Sequence, residues 1–411
     1  MRVLFVHQNF PGQFAHLAPA LAARGDEVAV LTMSNASPSG MRVLRHRPER
    51  SNTPGLPIPL QEFESKYLRA DSAMRAAHRL MQDGFQPDLI VAHPGWGESL
   101  FLKDVWPDAK MLCYWEFFYR ARGADVGFDP EFSVDDLAAR AKLRLKNAAQ
   151  LVALEAADWG IAPTNWQKRQ YPQWAQQRIS VIHDGIDTER VAPRAGAEVR
   201  LQKADKRLRA GEEVITFVNR NLEPYRGYHI FMRALPEILA RRPAARVLIV
   251  GGNEVSYGAA PPKGQSWKAI FQREVADRLD LSRVHFLGRV PYATYLQMLQ
   301  VSAVHVYLTY PFVLSWSLLE AMSAGCLIVG SRTPPVEEVV RHGENGLLVD
   351  FFDVEAWAAT VAEALQHPTR YAPLRQAARE TVRANYDLRR ICLPRQVQLL
   401  DALAAGEQPS V

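Results

Sequence analysis

Two doubly wound α/β domains, each a parallel sheet covered by helices and facing the other across a cleft, are what this sequence predicts. Three observations lead there. Short apolar runs of four to seven residues alternate with helical patterns along the chain, which is how strands buried on both faces of a parallel sheet read. The alternation occurs twice, separated by a charged, Ala- and Arg-rich interruption without apolar period, "TERVAPRAGAEVRLQKADKRLRAGEE". The 411 residues, 48% of them apolar, supply enough material for two cores. The expected boundaries are 1–190 for the first domain, 191–213 for the connection and 214–385 for the second domain. A closing helical segment, 386–411, is expected to pack back toward the first domain.

In the first half the strands read "VLFV", "EVAVLT", "DLIVAH", "KMLCYW", "WGIAPT" and "ISVIHD". A helix from about Phe14 to Arg24 stops at Gly25, the usual place for a left-handed cap. A later helix begins after Ser133, which can cap it, while Asp135 and Asp136 suit the positive end of the helix dipole. The second half starts with "VITFVNR", then a helix from about Gly227, "RVLIVGG", a looser insert "NEVSYGAAPPKGQS" and a helix to about Asp280. "VHFLGRV", "VHVYLTY", a helix from about Trp316 to Ala324, "CLIVGS" and "NGLLVD" follow, and the tail from Val354 is mostly helical.

In open α/β sheets ligands bind beyond the carboxyl ends of the strands, so the loops after strands carry the functional reading. After the first strand, "HQNFPGQF" puts Gly12 where the backbone can approach an anion at a helix start. A plain turn imposed by Pro11 and Gly12 accounts for the same residues. "DLIVAHPGWGE" places His93 at a strand end, where it can bond a hydroxyl, help carry a proton or cap the turn. "VNRNLEPYRGYH" sets Arg220 and Arg226 on either side of a turn before a helix. Two guanidiniums beside a helix N-terminus suit a pyrophosphate. "FLGRVPYATY" offers backbone around Arg289 and Val290 to a nucleobase edge, or is a simple turn.

In "YPFVLSWSLLEAMSAG" the helix is capped by Ser315 or Ser317 and closed by Gly325, with Leu318, Leu319 and Met322 buried. Glu320 falls on its other side and can accept two hydrogen bonds from vicinal hydroxyls such as those of a ribose.

What is missing narrows the reading further. The sequence has no Walker-type phosphate loop, no G-x-G-x-x-G after the first strand and no G-x-S-x-G elbow, which weakens kinase, dehydrogenase and hydrolase readings. Aspartates one residue apart and clusters with metal-ligand spacing are also missing, so no metal and no other cofactor is expected. The three cysteines are scattered through apolar runs, as buried thiols of a reducing, cytoplasmic compartment would be. The start, "MRVLFVHQNF", is too short in apolar residues for a signal peptide, and no run reaches a membrane span. A net charge of +5 is small for the length, and no nucleic-acid partner is expected. The basic clusters "ARAKLRLK" and "RLQKADKRLR" suit phosphates, anionic lipid head groups or water, so any membrane contact is expected to be peripheral, at the inner face.

Taken together these segments resemble glycosyltransferase family 4, retaining enzymes of the GT-B fold, whose two Rossmann-like domains bind a nucleotide sugar. The resemblance covers nearly the whole chain and is strongest from Val214 to Asp353. "FVNRNLEPYRG" is similar to the family's strand and Gly-Arg and Lys-Gly segment, with Asn219 at the glycine and Arg226 at the usual lysine. "HFLGRVPYATYLQML" and "AMSAGCLIVGSRTPPVEEVVRHGENGLLV" follow its pattern, and "APTNWQK" and "IHDGID" match the approach to its linker. The resemblance implies that Arg220 and Arg226 hold the donor diphosphate and Glu320 the ribose hydroxyls. It also implies that His93 lies by the donor sugar, Gly12 lies close to the phosphates, and the backbone at Leu314 and Ser315 faces the sugar and its phosphate. His93, Arg220 and Arg226 are the expected catalytic residues, the arginines by offsetting leaving-group charge.

Phe312 departs from the pattern. The family usually has a glutamate eight positions before Glu320, contacting hydroxyls of the transferred sugar. The implied function is transfer of a hexose-type sugar from a UDP or GDP donor to a saccharide, lipid-linked or other hydroxyl acceptor in cell-surface polysaccharide or glycoconjugate synthesis. A non-catalytic nucleotide-sugar-binding subunit that has lost the sugar-contacting acid is the alternative, and a GT-B-fold epimerase ranks below both for want of paired acids.

Overall fold

The computed structural model describes residues 1–133, 136–201 and 206–409. Contacts divide the chain into two units, Met1–Gly185 with the segment from Arg389 onward, and Ile186–Leu388.

The first unit is built on a seven-stranded parallel sheet among the described residues. Its strands are β1 (Arg2–Val6), β2 (Glu27–Thr32), β3 (Arg42–Arg45), β4 (Leu89–Ala92), β5 (Lys110–Tyr114), β6 (Trp159–Ala162) and β7 (Ile179–Val181), in the order β3-β2-β1-β4-β5-β6-β7. The central strands are apolar throughout because both faces are covered. Leu4 and Val6 enter one core with Ala70, Ala73, Ala77 and Leu80 of the helix Ile58–Gln82. Val3 and Phe5 enter the opposite core with Leu17, Ala18 and Leu21 and with Leu399, Leu400 and Leu403. Those three leucines belong to the last helix, Leu393–Ala404, and each contributes roughly 2 kcal/mol by leaving water. The expected strands all lie in this sheet. β3 escapes the periodicity because "RVLR" is a partly exposed edge strand with arginines at both ends.

The second unit holds β10 (Val214–Asn221), β11 (Arg246–Gly252), β12 (Val284–Gly288), β13 (Val304–Tyr307), β14 (Leu327–Ser331) and β15 (Leu347–Val349), in the parallel order β12-β11-β10-β13-β14-β15. Before it come β8 (Glu198–Leu201) and β9 (Lys206–Arg209), an antiparallel pair. The described residues of the segment expected as a connection, 191–213, therefore fold with the second unit. Its small apolar set, Ala197, Val199, Leu201 and Leu208, joins a core with Val214, Leu248 and Met298. The alternation of β8, outward Glu198 and Arg200 against buried Val199 and Leu201, was hidden by the surrounding charge.

Some helices are shorter than expected. The first spans Leu17–Arg24, after a separate tight turn Gly12–Phe14. The helix Leu137–Lys146 is capped by Asp136, whose side chain accepts from Ala139 N at 2.6 Å. Asp135, expected to favour its start, lies outside the described residues. The helix after the insert ends at Glu274, and the one carrying Glu320 spans Trp316–Ser323 with Ser315 as its cap. The three cysteines are buried and free. Among the described residues no helix is long and apolar enough to cross a membrane.

Each sheet reverses its strand order once, between β1 and β4 in the first unit and between β10 and β13 in the second. Helices leave to opposite faces at such a point, so a crevice opens beyond the strand ends.

Candidate functional site

At the first reversal the loops after β1 and β4 bring His7 and His93 together, with ring centroids 5.3 Å apart. Gly12 is needed there. Its φ is +48°, and a Cβ on it would lie 2.2 Å from His7 Nε2, so only glycine lets the loop close over the imidazole. His7 Nδ1 accepts from Asn9 N at 3.0 Å, which puts the proton on Nε2, bonded to Gln13 Oε1 at 2.8 Å. Gln13 Nε2 in turn donates to Glu116 Oε1 at 3.3 Å. Burial and the neighbouring His93 hold His7 down at about 4, so it is neutral near pH 7.

His93 is buried and stacks between Trp96 and Tyr114, with centroids 4.4 and 5.6 Å away. Its Nδ1 accepts from Gly95 N at 3.2 Å, so it does cap the turn. Its Nε2 has no hydrogen-bond partner among the described residues and lies 3.7 Å from Glu116 Oε2. Close by, Glu98 is fully buried, and neither of its oxygens is bonded by a neighbouring side chain. Burial pushes its carboxyl up to about 7, against the pull of Arg69 and His93.

At the second reversal Arg220 is the next-to-last residue of β10, exposed and without a hydrogen bond or ion pair among the described residues. Arg226 has the opposite environment. Only 5% exposed, it donates through Nη1 to Thr309 Oγ1 and to Val313 O, both at 2.8 Å. Its guanidinium carbon lies 5.2 Å from the Tyr257 ring and 5.6 Å from the Phe312 ring. Among the described residues no carboxylate forms a salt bridge with it, while against the cost of burial Tyr257 and the buried Glu223 favour its charged form. Gly227 follows at φ +67°, where a Cβ would strike Leu308 at 2.2 Å, and the helix Tyr228–Arg241 begins there.

Phe312 is buried against Tyr225 and Tyr257, at 5.3 and 4.9 Å, and Tyr225 also packs on Tyr310 at 4.7 Å. The supposedly loose insert supplies Tyr257 and is tied down. Glu223, fully buried, accepts from the backbone N–H of Ser256, Tyr257 and Gly258 at 3.2 to 3.3 Å.

Glu320 is not idle either. Tyr292 donates its hydroxyl to Oε1 at 2.6 Å and Tyr295 to Oε2 at 2.7 Å. Burial raises the Glu320 carboxyl above its ordinary value, and the two tyrosines oppose the rise. Ser315 N is bonded to Tyr307 Oη at 2.9 Å, and the Leu314 side chain is in the core. Val290 packs half-buried against the cores of the second unit. Only backbone at 290 and 314 is therefore on offer to a ligand.

Sequence reading missed His7, Gln13, Glu98, Glu116, Glu223, Tyr257, Tyr292 and Tyr295. His7 alone had a local signal, as the first residue after a strand.

Two family descriptions match the chain, "Glycosyl transferase family 4 group" over residues 24–191 and "Glycosyl transferases group 1" over residues 199–381. The chain belongs to glycosyltransferase family 4. Among relatives of this family 4 chain, the D-inositol 3-phosphate glycosyltransferase of Rhodococcus jostii (strain RHA1) is 31% identical over 202 residues. That match takes in 48% of the present chain and 42% of the relative, less than half its length. Sucrose-phosphate synthase from Thermosynechococcus elongatus superposes with a TM-score of 0.72 at 20% identity, covering 99% of this chain and 100% of that one. Anabaena HepE, solved in complex with UDP and glucose, gives 0.69 at 17% identity over 98% of this chain and 100% of its own. The fold of the family 4 chain is thus GT-B, each unit a parallel doubly wound sheet.

Proposed function

We propose that this protein is a retaining glycosyltransferase that moves a hexose-type sugar from UDP or GDP to a hydroxyl of a saccharide or lipid-linked acceptor, in cell-surface polysaccharide or glycoconjugate synthesis. One observation carries the reading: a buried guanidinium and an exposed one, neither in a salt bridge among the described residues, share the strand-order reversal of the second sheet. Arg226 and Arg220 there offset the charge that grows on the departing diphosphate, and no metal is needed for that task. The leaving phosphate accepts the proton of the incoming hydroxyl. Glu320 takes the ribose hydroxyls, and backbone near Val290 and Leu314 the base and phosphate. In the first unit, His93 offers its Nε2 to a sugar hydroxyl, and Gly12 lets the loop after β1 come close to phosphate. The complex of HepE with UDP and glucose supports a nucleotide-sugar donor for this fold.

Contact with an anionic membrane surface is assigned to the helix Leu137–Lys146, which buries no residue and exposes Arg140, Lys142, Arg144 and Leu137, the last at 82%. We place the protein at the cytoplasmic side of that membrane.

The buried Phe312, standing where an acid would contact the sugar, favours a second reading, a nucleotide-sugar-binding subunit without turnover. Incubation with a panel of UDP- and GDP-sugars separates the two. Slow hydrolysis or transfer of one donor is the expected result, and tight binding with no turnover on any acceptor supports the subunit. Arg226→Ala is expected to weaken nucleoside diphosphate binding by about 1 to 3 kcal/mol in calorimetry. Unchanged affinity removes Arg226 from the site.

A further inference from the structure

The hydroxyls on Glu320 come from one helix, Tyr292–Val301. Tyr292 and Tyr295 are three residues apart, which sets them on one face, and their rings lie 5.7 Å from each other. Each takes a different carboxylate oxygen, at 2.6 and 2.7 Å, the short range of bonds to an ionised acceptor. Two donors on two oxygens define the plane of the carboxylate. An ionised carboxylate has about four acceptor positions, so about two remain, one on each oxygen.

The Tyr292 hydroxyl has no need of Glu320 for its own solvation. Tyr292 is 41% exposed, and its hydroxyl donates to the carboxylate. Arg190 covers the ring from 4.7 Å and favours the ionised form of Glu320. Two spare acceptor positions side by side, beneath a negative charge, repel a phosphate and match two neighbouring neutral donors.

We propose that Tyr292 and Tyr295 are positioning residues that hold the Glu320 carboxylate in the orientation that accepts a vicinal diol, the 2′- and 3′-hydroxyls of a nucleotide ribose. The proposal rests on the reading of Glu320 as the ribose acceptor and adds the pair of groups that pre-orients it. Discrimination between ribose and deoxyribose is then set by the tyrosines as much as by the acid.

Calorimetric titration of UDP, 2′-deoxy-UDP, GDP and 2′-deoxy-GDP tests this with the wild type, Tyr292→Phe, Tyr295→Phe, the double Phe variant and Glu320→Gln. The wild type is expected to prefer the ribonucleotide by about tenfold. The double Phe variant is expected to lose most of that preference while binding inorganic pyrophosphate as the wild type does, which also shows that it is folded. If the double variant keeps the full preference while Glu320→Gln loses it, the tyrosines are not positioning residues and the reading of Glu320 stands. If the wild type has no preference, or Glu320→Gln keeps it, both statements fall.

Discussion

On the proposed function Arg226 binds a diphosphate, and a carboxylate at position 312 would add negative charge beside it. The aromatic ring instead braces the guanidinium at 5.6 Å and leaves its charge available. Phe312→Leu keeps the apolar volume and removes the π face, so a stability loss below about 1.5 kcal/mol is expected. Nucleoside diphosphate affinity should fall by about three- to tenfold with it. Phe312→Glu should weaken inorganic pyrophosphate more than Phe312→Leu does, because it adds an internal competitor for Arg226. Calorimetry on both variants checks this, and a Phe312→Glu protein that binds pyrophosphate as well as the wild type removes the account. The sequence showed that the usual acid was missing. It did not show what the ring touches, because Arg226 and Tyr257 reach Phe312 from different crossover connections.

Among the elements, the segment between β11 and the helix Trp267–Glu274 was read as loose because it is rich in Gly, Pro and Ala and has no period. Glu223, from the loop after β10, organises it by collecting three backbone N–H groups. Glu223→Ala leaves those donors without an acceptor. Amide exchange at Ser256–Gly258 is expected to accelerate by about tenfold or more, since each lost bond to a charged group is worth about 1.5 to 3 kcal/mol. Unchanged protection would show that the segment is held by something else. A strand or a helix declares itself by repetition. A loop pinned by one distant carboxylate does not, and neither does a strand pair as short and charged as β8 and β9.

For the molecule as a whole, buried titratable groups set opposing pH dependences of stability. The folded Glu98 titrates near 7, above its ordinary 4.5, so its contribution is fully present below about pH 4.5 and is lost as pH rises through about 7. His7, His46 and His183 behave oppositely. Burial holds each at about 4, below the ordinary 6.5, so their contribution is present above pH 6.5 and is lost as pH falls through about 4. Only a comparison of variants isolates the acid. Between about pH 5 and about pH 8 the stability of the wild type relative to Glu98→Gln is expected to fall by about 3 kcal/mol in denaturant unfolding. A difference that stays flat with pH would mean that Glu98 is already neutral or already paired across that range.

Local repetition was enough for two parallel sheets, for twelve of the strands, and for placing His93, Arg220, Arg226 and Glu320 in loops after strands or on the helices they lead into. Those properties depend on residues close in sequence, through the two- and 3.6-residue periods of the backbone. Partnership depended on the folded chain. The braces on Arg226, the tyrosines on Glu320, the path from His7 through Gln13 to Glu116, and the unit to which β8, β9 and the last helix belong all join residues from separate strand-to-strand connections. The crossovers of a doubly wound sheet decide which loops meet at a strand-order reversal, and short-range periodicity carries no record of that meeting.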